Sequence, residues 1–381
     1  MKVAITKERY AGERRVALTP ANAPQLAKLG LEMIVESGAG VSAGFLDHHY
    51  REKGAVVVDS LDQALAADII AQVRSAGADL DSGEAIRSKL RPGQVVIGAC
   101  DPLGKPAFIK RWADSGATLF SLELVPRITR AQSMDILSSQ ATIAGYRAVL
   151  LAAMELPKMF PMMMTAAGTL TAAKVFIIGA GVAGLQAIAT ARKLGAVVHA
   201  YDVRPACREQ VESLGGKFVE VQLDASSSED KGGYAKAMDE AFYRKQRELM
   251  ASVVSQSDVV ITTAAIPGKQ SPLLVTADAV RGMPAGGVII DLAAERGGNC
   301  ELTKADQRVV ENGVTILGPT NLPSEIPNHA SQMLGNNMVK FLGNMIKKGE
   351  LNLNLEDEII RETMVAHQGQ VTCQRVKDLL T

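Results

Sequence analysis

Residues Lys174–Asp202, KVFIIGAGVAGLQAIATARKLGAVVHAYD, decide the fold. Lys174–Ile178 is a short apolar run, as a buried parallel strand requires. Gly179, Gly181 and Gly184 follow as G-A-G-V-A-G. Leu185, Ile188 and Leu194 then recur at helical spacing among alanines, Gly195 stops the helix, and Ala196–Ala200 begins a second strand that ends at Asp202. Strand, glycine turn, helix, strand and acid, at this spacing, form a dinucleotide-binding βαβ unit.

Each residue type in the run has a physical task. Gly179 permits a tight turn out of the strand, and Gly181, with no Cβ, lets backbone approach a pyrophosphate. Gly184 lets the helix pack close to the sheet. The helix N-terminus offers free N–H groups and partial positive charge to phosphates. Asp202 stands where a carboxylate accepts both ribose hydroxyls and repels a 2′-phosphate, which favours NAD(H) over NADP(H). Arg204, two residues on, works against that preference, since an arginine holds a 2′-phosphate; Val203 lies between them.

The totals limit the alternatives. The 381 residues suffice for two domains, and 47% hydrophobic with only 4% aromatic residues suits a soluble α/β protein. Lys plus Arg and Asp plus Glu both number 41, so no global field favours nucleic acid or an anionic membrane. No apolar run is read as long enough for a bilayer span, and the N-terminus lacks a signal-peptide core. Cys100, Cys207, Cys300 and Cys373 are scattered, which reads as reduced thiols in the cytoplasm, small core residues each, and no metal site is read.

The rest of the chain continues the alternation of strand and helix. Lys2–Ile5, Glu32–Glu36, Val56–Val58, Ile69–Val73, Val95–Ala99 and Thr118–Leu124 are expected strands. Helices are expected at Pro20–Leu29, Leu61–Ala67 and Ala107–Ser115. Asp135–Leu156 is one long helical pattern, interrupted only by the isolated Gly145, and suggests a bridge between domains. Its successor, Pro161–Thr165, carries three methionines that suit either a binding surface or a flexible packing patch. Strands are expected at Lys217–Gln222, Asp258–Thr263, Val288–Asp291 and, last, Val314–Leu317. Helices are expected at Met238–Met250, Pro327–Lys347 and Glu356–Val365. Leu223–Gly233 is polar, rich in serine and glycine, and reads as a mobile surface loop that closes over a ligand, with Tyr234 directly after it. The fold class is therefore α/β, with two doubly wound parallel-sheet domains joined by long helices: residues 1–135 with 328–381, and residues 136–327.

In open α/β sheets ligands lie beyond the carboxyl ends of the strands. Those ends here are Gly179–Gly184, Asp202–Arg204, Thr263–Lys269 and Asp291–Gly298; any one alone would pass for an ordinary turn. A second dense polar cluster is Arg127–Gln140, RITRAQSMDILSSQ, with Arg127, Arg130, Gln132, Asp135, Ser138 and Gln140 at a helix entrance. On local pattern alone, Asp135 or Ser133 serves equally as an N-cap and the arginines as solvated side chains.

RAQSMDILSSQ, GYRAV, FPMMMTAAGT, GAGVAGLQAIATA, REQVESLGGKF, GGYAK, ITTAAIPGK and IIDLAAERGGN together resemble the NAD(H)-binding subunits of proton-translocating nicotinamide nucleotide transhydrogenases. The resemblance runs from Met1 to about Pro323 and is loose beyond it. It implies that Arg127, Gln132 and Asp135 hold the nicotinamide and its ribose and carry the transfer step, with Ile128, Thr129, Ser133, Met134 and Ser138 around them. It implies further nucleotide contacts at Gly179, Gly181, Val182, Ala183, Gly184, Asp202, Val203, Arg204, Gly233, Tyr234, Gln246, Thr263, Ala264 and Ala265. It also implies NADP(H) on a partner subunit, a membrane subunit that moves protons, a homodimer, and a place on the cytoplasmic face of the inner membrane.

The segment KERYAGERRVALTP is shared with the related alanine dehydrogenases, and an amino acid oxidoreductase of that kind is the alternative. Such chemistry wants a histidine acid/base near the nicotinamide. The family's histidine would fall near Ala99–Asp101, where this chain reads A-C-D. The basic residue expected after Ile69–Val73 is at best Arg74, and Arg15 alone does not make a catalytic site. Direct hydride exchange between two nicotinamides needs no protein acid or base. A non-enzymatic NAD sensor is the third reading, and turnover with a partner component would discriminate it.

Overall fold

The structure is a computed structural model and describes residues 1–220, 240–265 and 268–380. Along the chain the strands are β1 (Lys2–Ile5), β2 (Glu32–Glu36), β3 (Val56–Val58), β4 (Ile69–Arg74), β5 (Val95–Ala99) and β6 (Thr118–Ser121). A ribbon of β7 (Met163–Thr165) and β8 (Gly168–Leu170) follows, then β9 (Lys174–Ile178), β10 (Val197–Tyr201), β11 (Lys217–Phe218), β12 (Val259–Thr262), β13 (Val288–Asp291), β14 (Arg308–Glu311) and β15 (Val314–Leu317). The tail holds β16 (Ile346–Lys347), β17 (Glu350–Leu351), β18 (Met364–His367) and β19 (Gln370–Val371). The chain divides into two compact units, Met1–Gln140 with Pro323–Thr381, and Ala141–Leu322.

The first unit holds a sheet in the order β19-β18-β6-β5-β4-β1-β2-β3. The six strands from β6 to β3 are parallel, and β18 adds to β6 antiparallel. Side-chain alternation feeds a core on each face: Val3, Ile5, Ile69, Val95 and Ile97 enter one core, while Ala4, Ile70 and Val96 enter the other. Burial on both faces explains why these strands read as continuous apolar runs.

The second unit repeats the plan, with order β11-β10-β9-β12-β13-β15-β14. Val175, Ile177, Val259, Ile261, Val288 and Ile290 line one core, and Phe176, Ile178, Val260 and Ile289 the other. In both units the six parallel strands, counted along the chain, run 3-2-1-4-5-6, the doubly wound order that leaves a switch point beside the first strand.

Several elements differ from expectation. The strand expected to reach Leu124 stops at Ser121, and Leu122–Leu124 coils into a 3-10 turn. Glu123 on that turn accepts the N–H of Cys100 at 2.6 Å and of Asp101 at 2.9 Å. Val314–Leu317 is not the last strand: β18 and β19 extend the first sheet, and β16 pairs with β17. β14 is an antiparallel edge strand that the sequence pattern does not announce. The expected helix Glu356–Val365 is shortened to Glu358–Thr363, capped by Asp357, whose carboxylate accepts the Ile359 N–H at 2.9 Å. Helices Asp47–Glu52 and Ser82–Arg87 are likewise additions to the expected elements.

Among the described residues one helix, Ile136–Glu155, is long and apolar enough to cross a membrane, against the expectation of none. Part of it is packed inside the protein. Ala148, Val149 and Ala152 are fully buried in a core of the second unit. The isolated Gly145 lies where a Cβ would come within 2.1 Å of the Ala183 carbonyl oxygen, so only glycine fits that contact.

Candidate nucleotide-binding site

The switch point of the second sheet is built by the carboxyl ends of β9, β10 and β12. β9 leaves the sheet at Gly179, which has φ +100° and where a Cβ would stand 2.5 Å from Thr263 Oγ1. A Cβ on Gly184 would come within 1.8 Å of the Gly179 carbonyl oxygen, so the helix Val182–Lys193 can start this close to the strand only as glycine. Gly181 differs from both, because among the described residues nothing lies within 4 Å of where its Cβ would be. That open space, with the N-terminus of the helix behind it, suits a phosphate. The helix's own ladder starts with the Leu185 N–H, which donates to Gly181 O at 2.8 Å, so Val182, Ala183 and Gly184 lie in the first turn.

Asp202, directly after β10, is 8% exposed and latches the turn by accepting the Ala180 N–H at 2.8 Å. Its two oxygens also accept the Arg204 backbone N–H, Nε and Nη2, each at 2.9 Å. Arg204 thus lies against Asp202 as a bidentate pair around the half-buried Val203. Gln246 is buried on the helix Glu240–Val254 and donates from Nε2 to the Tyr201 hydroxyl at 2.9 Å, while its Oε1 has no hydrogen-bond partner among the described residues. Burial pushes the Tyr201 hydroxyl up to about 12. A buried acceptor without a partner is costly, and a ligand N–H donor would relieve it.

Thr263 donates to Gly179 O at 3.0 Å. The Ala264 N–H donates to Asn299 Oδ1 at 3.0 Å, and Asn299 Nδ2 donates back to Ala264 O at 2.8 Å. Ala265 beyond them is exposed. Asn299 is a residue the sequence reading missed; only its place after G-G in ERGGN hinted at a loop anchor. Asp291, expected in the crevice, is fully buried and accepts from Thr262 Oγ1, Thr303 Oγ1 and the N–H groups of Ala293, Asn299 and Cys300. It knots the loop and faces no ligand space. Gly233 and Tyr234, with the rest of Leu223–Tyr234, lie outside the described residues, as do Ile266 and Pro267.

The second cluster lies in the first unit. Thr129–Met134 is a 3-10 turn after Arg127 and Ile128, and Asp135 links it to the helix Ile136–Glu155. Ala131 and Met134 point into the core, while Arg127, Thr129, Gln132 and Ser133 are exposed. Asp135 caps the helix, accepting the Ser138 N–H at 2.9 Å and the Ser138 hydroxyl at 2.6 Å. The capping alternative therefore applies to Asp135 and not to Ser133. Arg130 is not a freely solvated side chain: it donates to both oxygens of Asp357.

The carboxyl end of the first sheet is filled by its own charges. Arg15 donates from Nε and Nη2 to the two oxygens of Glu13 at 2.7 Å each, and from Nη1 to Gln140 Oε1 at 2.9 Å. Arg74 reaches Glu13 at 3.2 Å. Glu8 accepts the N–H groups of Val73 and Arg74 at 2.7 and 3.2 Å. Burial pushes Glu8 up to about 8. Burial also works to raise Glu13, but hydrogen bonds and charge from Arg15 outweigh it and hold Glu13 at about 2. At Ala99–Asp101 the Cys100 side chain is fully buried, and burial pushes its thiol well up, so it offers neither nucleophile nor proton carrier.

Residues 4–144 match the family of the alanine dehydrogenase/PNT N-terminal domain, and residues 148–374 that of the alanine dehydrogenase/PNT C-terminal domain. The chain is 46% identical over 375 residues to the first segment of the divided NAD(P) transhydrogenase subunit alpha of Rhodospirillum rubrum, covering 97% of each. It superposes on the crystal structure of transhydrogenase from Sinorhizobium meliloti with a TM-score of 0.88 at 45% identity, covering 97% of this chain and 100% of that one. Alanine dehydrogenase 1 of Staphylococcus aureus is more distant, 26% identical over 388 residues, with 98% of this chain and 95% of that one covered.

Proposed function

The chain belongs to the alanine dehydrogenase/PNT family, and from that premise we propose that it is the NAD(H)-binding alpha component of a proton-translocating NAD(P)+ transhydrogenase. NADH enters as a substrate and gives a hydride directly to NADP+ held on a separate subunit, leaving NAD+ here and NADPH there. A membrane subunit couples the exchange to proton movement. The chain works as a homodimer, peripheral on the cytoplasmic face of the inner membrane.

What stands at Ala99–Asp101 carries the choice between the family's two activities. Oxidising an amino acid requires a group that accepts its proton, and this segment brings a buried, inert thiol instead of an imidazole. Hydride exchange between nicotinamides asks the protein only to bind, orient and exclude water. In this reading Gly179–Gly184 and the helix start receive the pyrophosphate, with Gly181 leaving the space. Asp202 accepts the adenosine ribose hydroxyls after Arg204 yields part of its carboxylate, and Gln246 Oε1 gains a donor. Arg127, Gln132, Asp135 and Ser138 hold the nicotinamide and its ribose.

The test is reduction of an NADP+ analogue by NADH with the purified chain and its NADP-binding partner. Gln132→Asn should keep the fold and most nucleotide affinity yet slow transfer on the order of tenfold to a hundredfold, because a shortened side chain misplaces the ring. Alanine-dependent NAD+ reduction by this chain alone would overturn the assignment. Wild-type transfer by the variant would overturn the role of the turn.

A further inference from the structure

The tail beyond Leu351 has no role in the sequence reading, yet it reaches the turn that carries Gln132. Arg130 donates from Nη2 to Asp357 Oδ1 at 2.7 Å and from Nη1 to Asp357 Oδ2 at 3.0 Å and Asn344 Oδ1 at 3.1 Å. Asn344 Nδ2 closes the triangle on Asp357 at 3.0 Å. On the other side of Gln132, the Ser133 carbonyl accepts Asn337 Nδ2 at 2.8 Å. Asn337 and Asn344 lie on the helix Pro327–Met345. Seven positions apart, they share one helix face, so a single stripe grips the turn at both flanks of Gln132. Between those grips Ala131 is fully buried and Met134 is 6% exposed.

We propose that Asp357, Asn344 and Asn337 are positioning residues for hydride transfer: they fix the Thr129–Met134 turn so that Gln132 is presented in one orientation. The proposal rests on the assignment of that turn to the nicotinamide. A neutral hydrogen bond to a backbone carbonyl at Ser133 and a bidentate ion pair at Arg130 restrain the turn differently. The pair adds directional restraint, because an arginine fork on a carboxylate has one favoured geometry. The hydrogen bonds from Arg130 hold the Asp357 carboxyl well below the usual carboxylate range, so the fork stays charged throughout the neutral range. Asp357 also caps its own helix, which anchors the carboxylate from behind. Hydride transfer is sensitive to placement, and a displacement near 1 Å costs on the order of a hundredfold in rate. Nucleotide affinity spread over the glycine turn and Asp202 is far less sensitive.

The experiment uses the full chain with its NADP-binding partner and compares Asp357→Asn, Asp357→Glu and Asn337→Ala with Asp62→Asn, which breaks the exposed Lys89–Asp62 pair of the same unit. NADH affinity is read by calorimetry, single-turnover transfer by stopped flow, and folding by thermal melting. Asp357→Asn and Asn337→Ala are expected to lower the transfer rate on the order of tenfold or more while NADH Kd changes less than about threefold. Asp357→Glu recovers part of the rate, and Asp62→Asn leaves rate and affinity unchanged. Wild-type transfer rates in both Asp357→Asn and Asn337→Ala, with the parent chain active, would overturn the positioning role alone. Parallel losses of affinity, rate and melting temperature would overturn it too, by showing a merely structural role. Failure of the parent chain to transfer hydride at all would instead overturn the functional assignment beneath it.

Discussion

The two sheets share one strand order and one latch, and differ in what the first strand runs into. In the second unit, Asp202 after β10 accepts the N–H of Ala180 at 2.8 Å. In the first, Glu36 at the end of β2 accepts the N–H of Lys7 at 2.7 Å, the same second residue past the first strand. There the likeness stops. β9 turns through glycines directly into a helix, whereas β1 runs into the loop Thr6–Thr19 and reaches no α-helix until Ala23. That loop brings Glu8, Glu13 and Arg15 back over the sheet end, where they meet Arg74. Topology supplies the crevice in both units; the turn after the first strand decides whether it stays open or is filled by the chain's own charges.

The largest expected effect comes from breaking the open crevice. Gly184→Ala places a methyl 1.8 Å from a backbone oxygen, and should cost about 3 kcal/mol of stability with loss of measurable NADH binding. Denaturant unfolding and calorimetry check this, and a variant that binds normally would show the helix start to be slack.

The filled crevice should reveal itself through pH. Glu8 has a folded value of about 8 against 4.5 ordinarily. The folded state therefore holds its proton more tightly than the unfolded chain. Its contribution is full below pH 4.5 and is lost as pH rises to about 8. Glu13, lowered to about 2, behaves oppositely: its contribution is present above 4.5 and is lost as pH falls toward 2. Unfolding free energy should decline by roughly 2 kcal/mol between pH 5 and 8, below the full linkage value because Glu8 is only half-buried. Glu8→Gln should flatten that slope, and a slope the variant leaves intact would assign it to other groups.

The smallest effect separates the two latches. Asp202→Ala should weaken NADH binding by about 1–2 kcal/mol, the worth of hydrogen bonds to a charged acceptor, while Glu36→Ala should leave it unchanged. Equal losses from both would mean that the first unit is also a nucleotide site. The ratio of NADH to NADPH affinity in Asp202→Ala sharpens the point, since Arg204 then faces a 2′-phosphate without its carboxylate partner.

What was legible in the sequence is what local chemistry fixes. β1, β2, β5 and β13 keep their expected limits because short apolar runs buried on two faces admit few other readings. The glycine turn was legible because the tight exit from the strand at Gly179 and the close helix approach at Gly184 demand residues without a Cβ. β14 and β19 were not, because they lie at sheet edges and bury little, and β18 was not, because its first residues fall inside the expected helix Glu356–Val365. Asn299, Asn344 and Asp357 were illegible for another reason. A polar residue in a loop or on a helix looks the same whether it is solvated or holds something far along the chain, and Arg130 and Asp357 are 227 positions apart.

The β7–β8 ribbon has a consequence for how the chain ages. All its residues are exposed, Met164 at 73% and Leu170 at 50%, and Met162 just before it is 59% exposed. A two-stranded ribbon with no core beneath it is marginal in water. If a second copy in the proposed homodimer covers it, the order of the ribbon depends on how much protein is present. Dilution then acts as a slow poison: as copies separate, the thioethers meet peroxide and become polar sulfoxides. On that condition each oxidised ribbon is less fit to find a partner again, and a dilute stock should lose its assembly before it loses its fold.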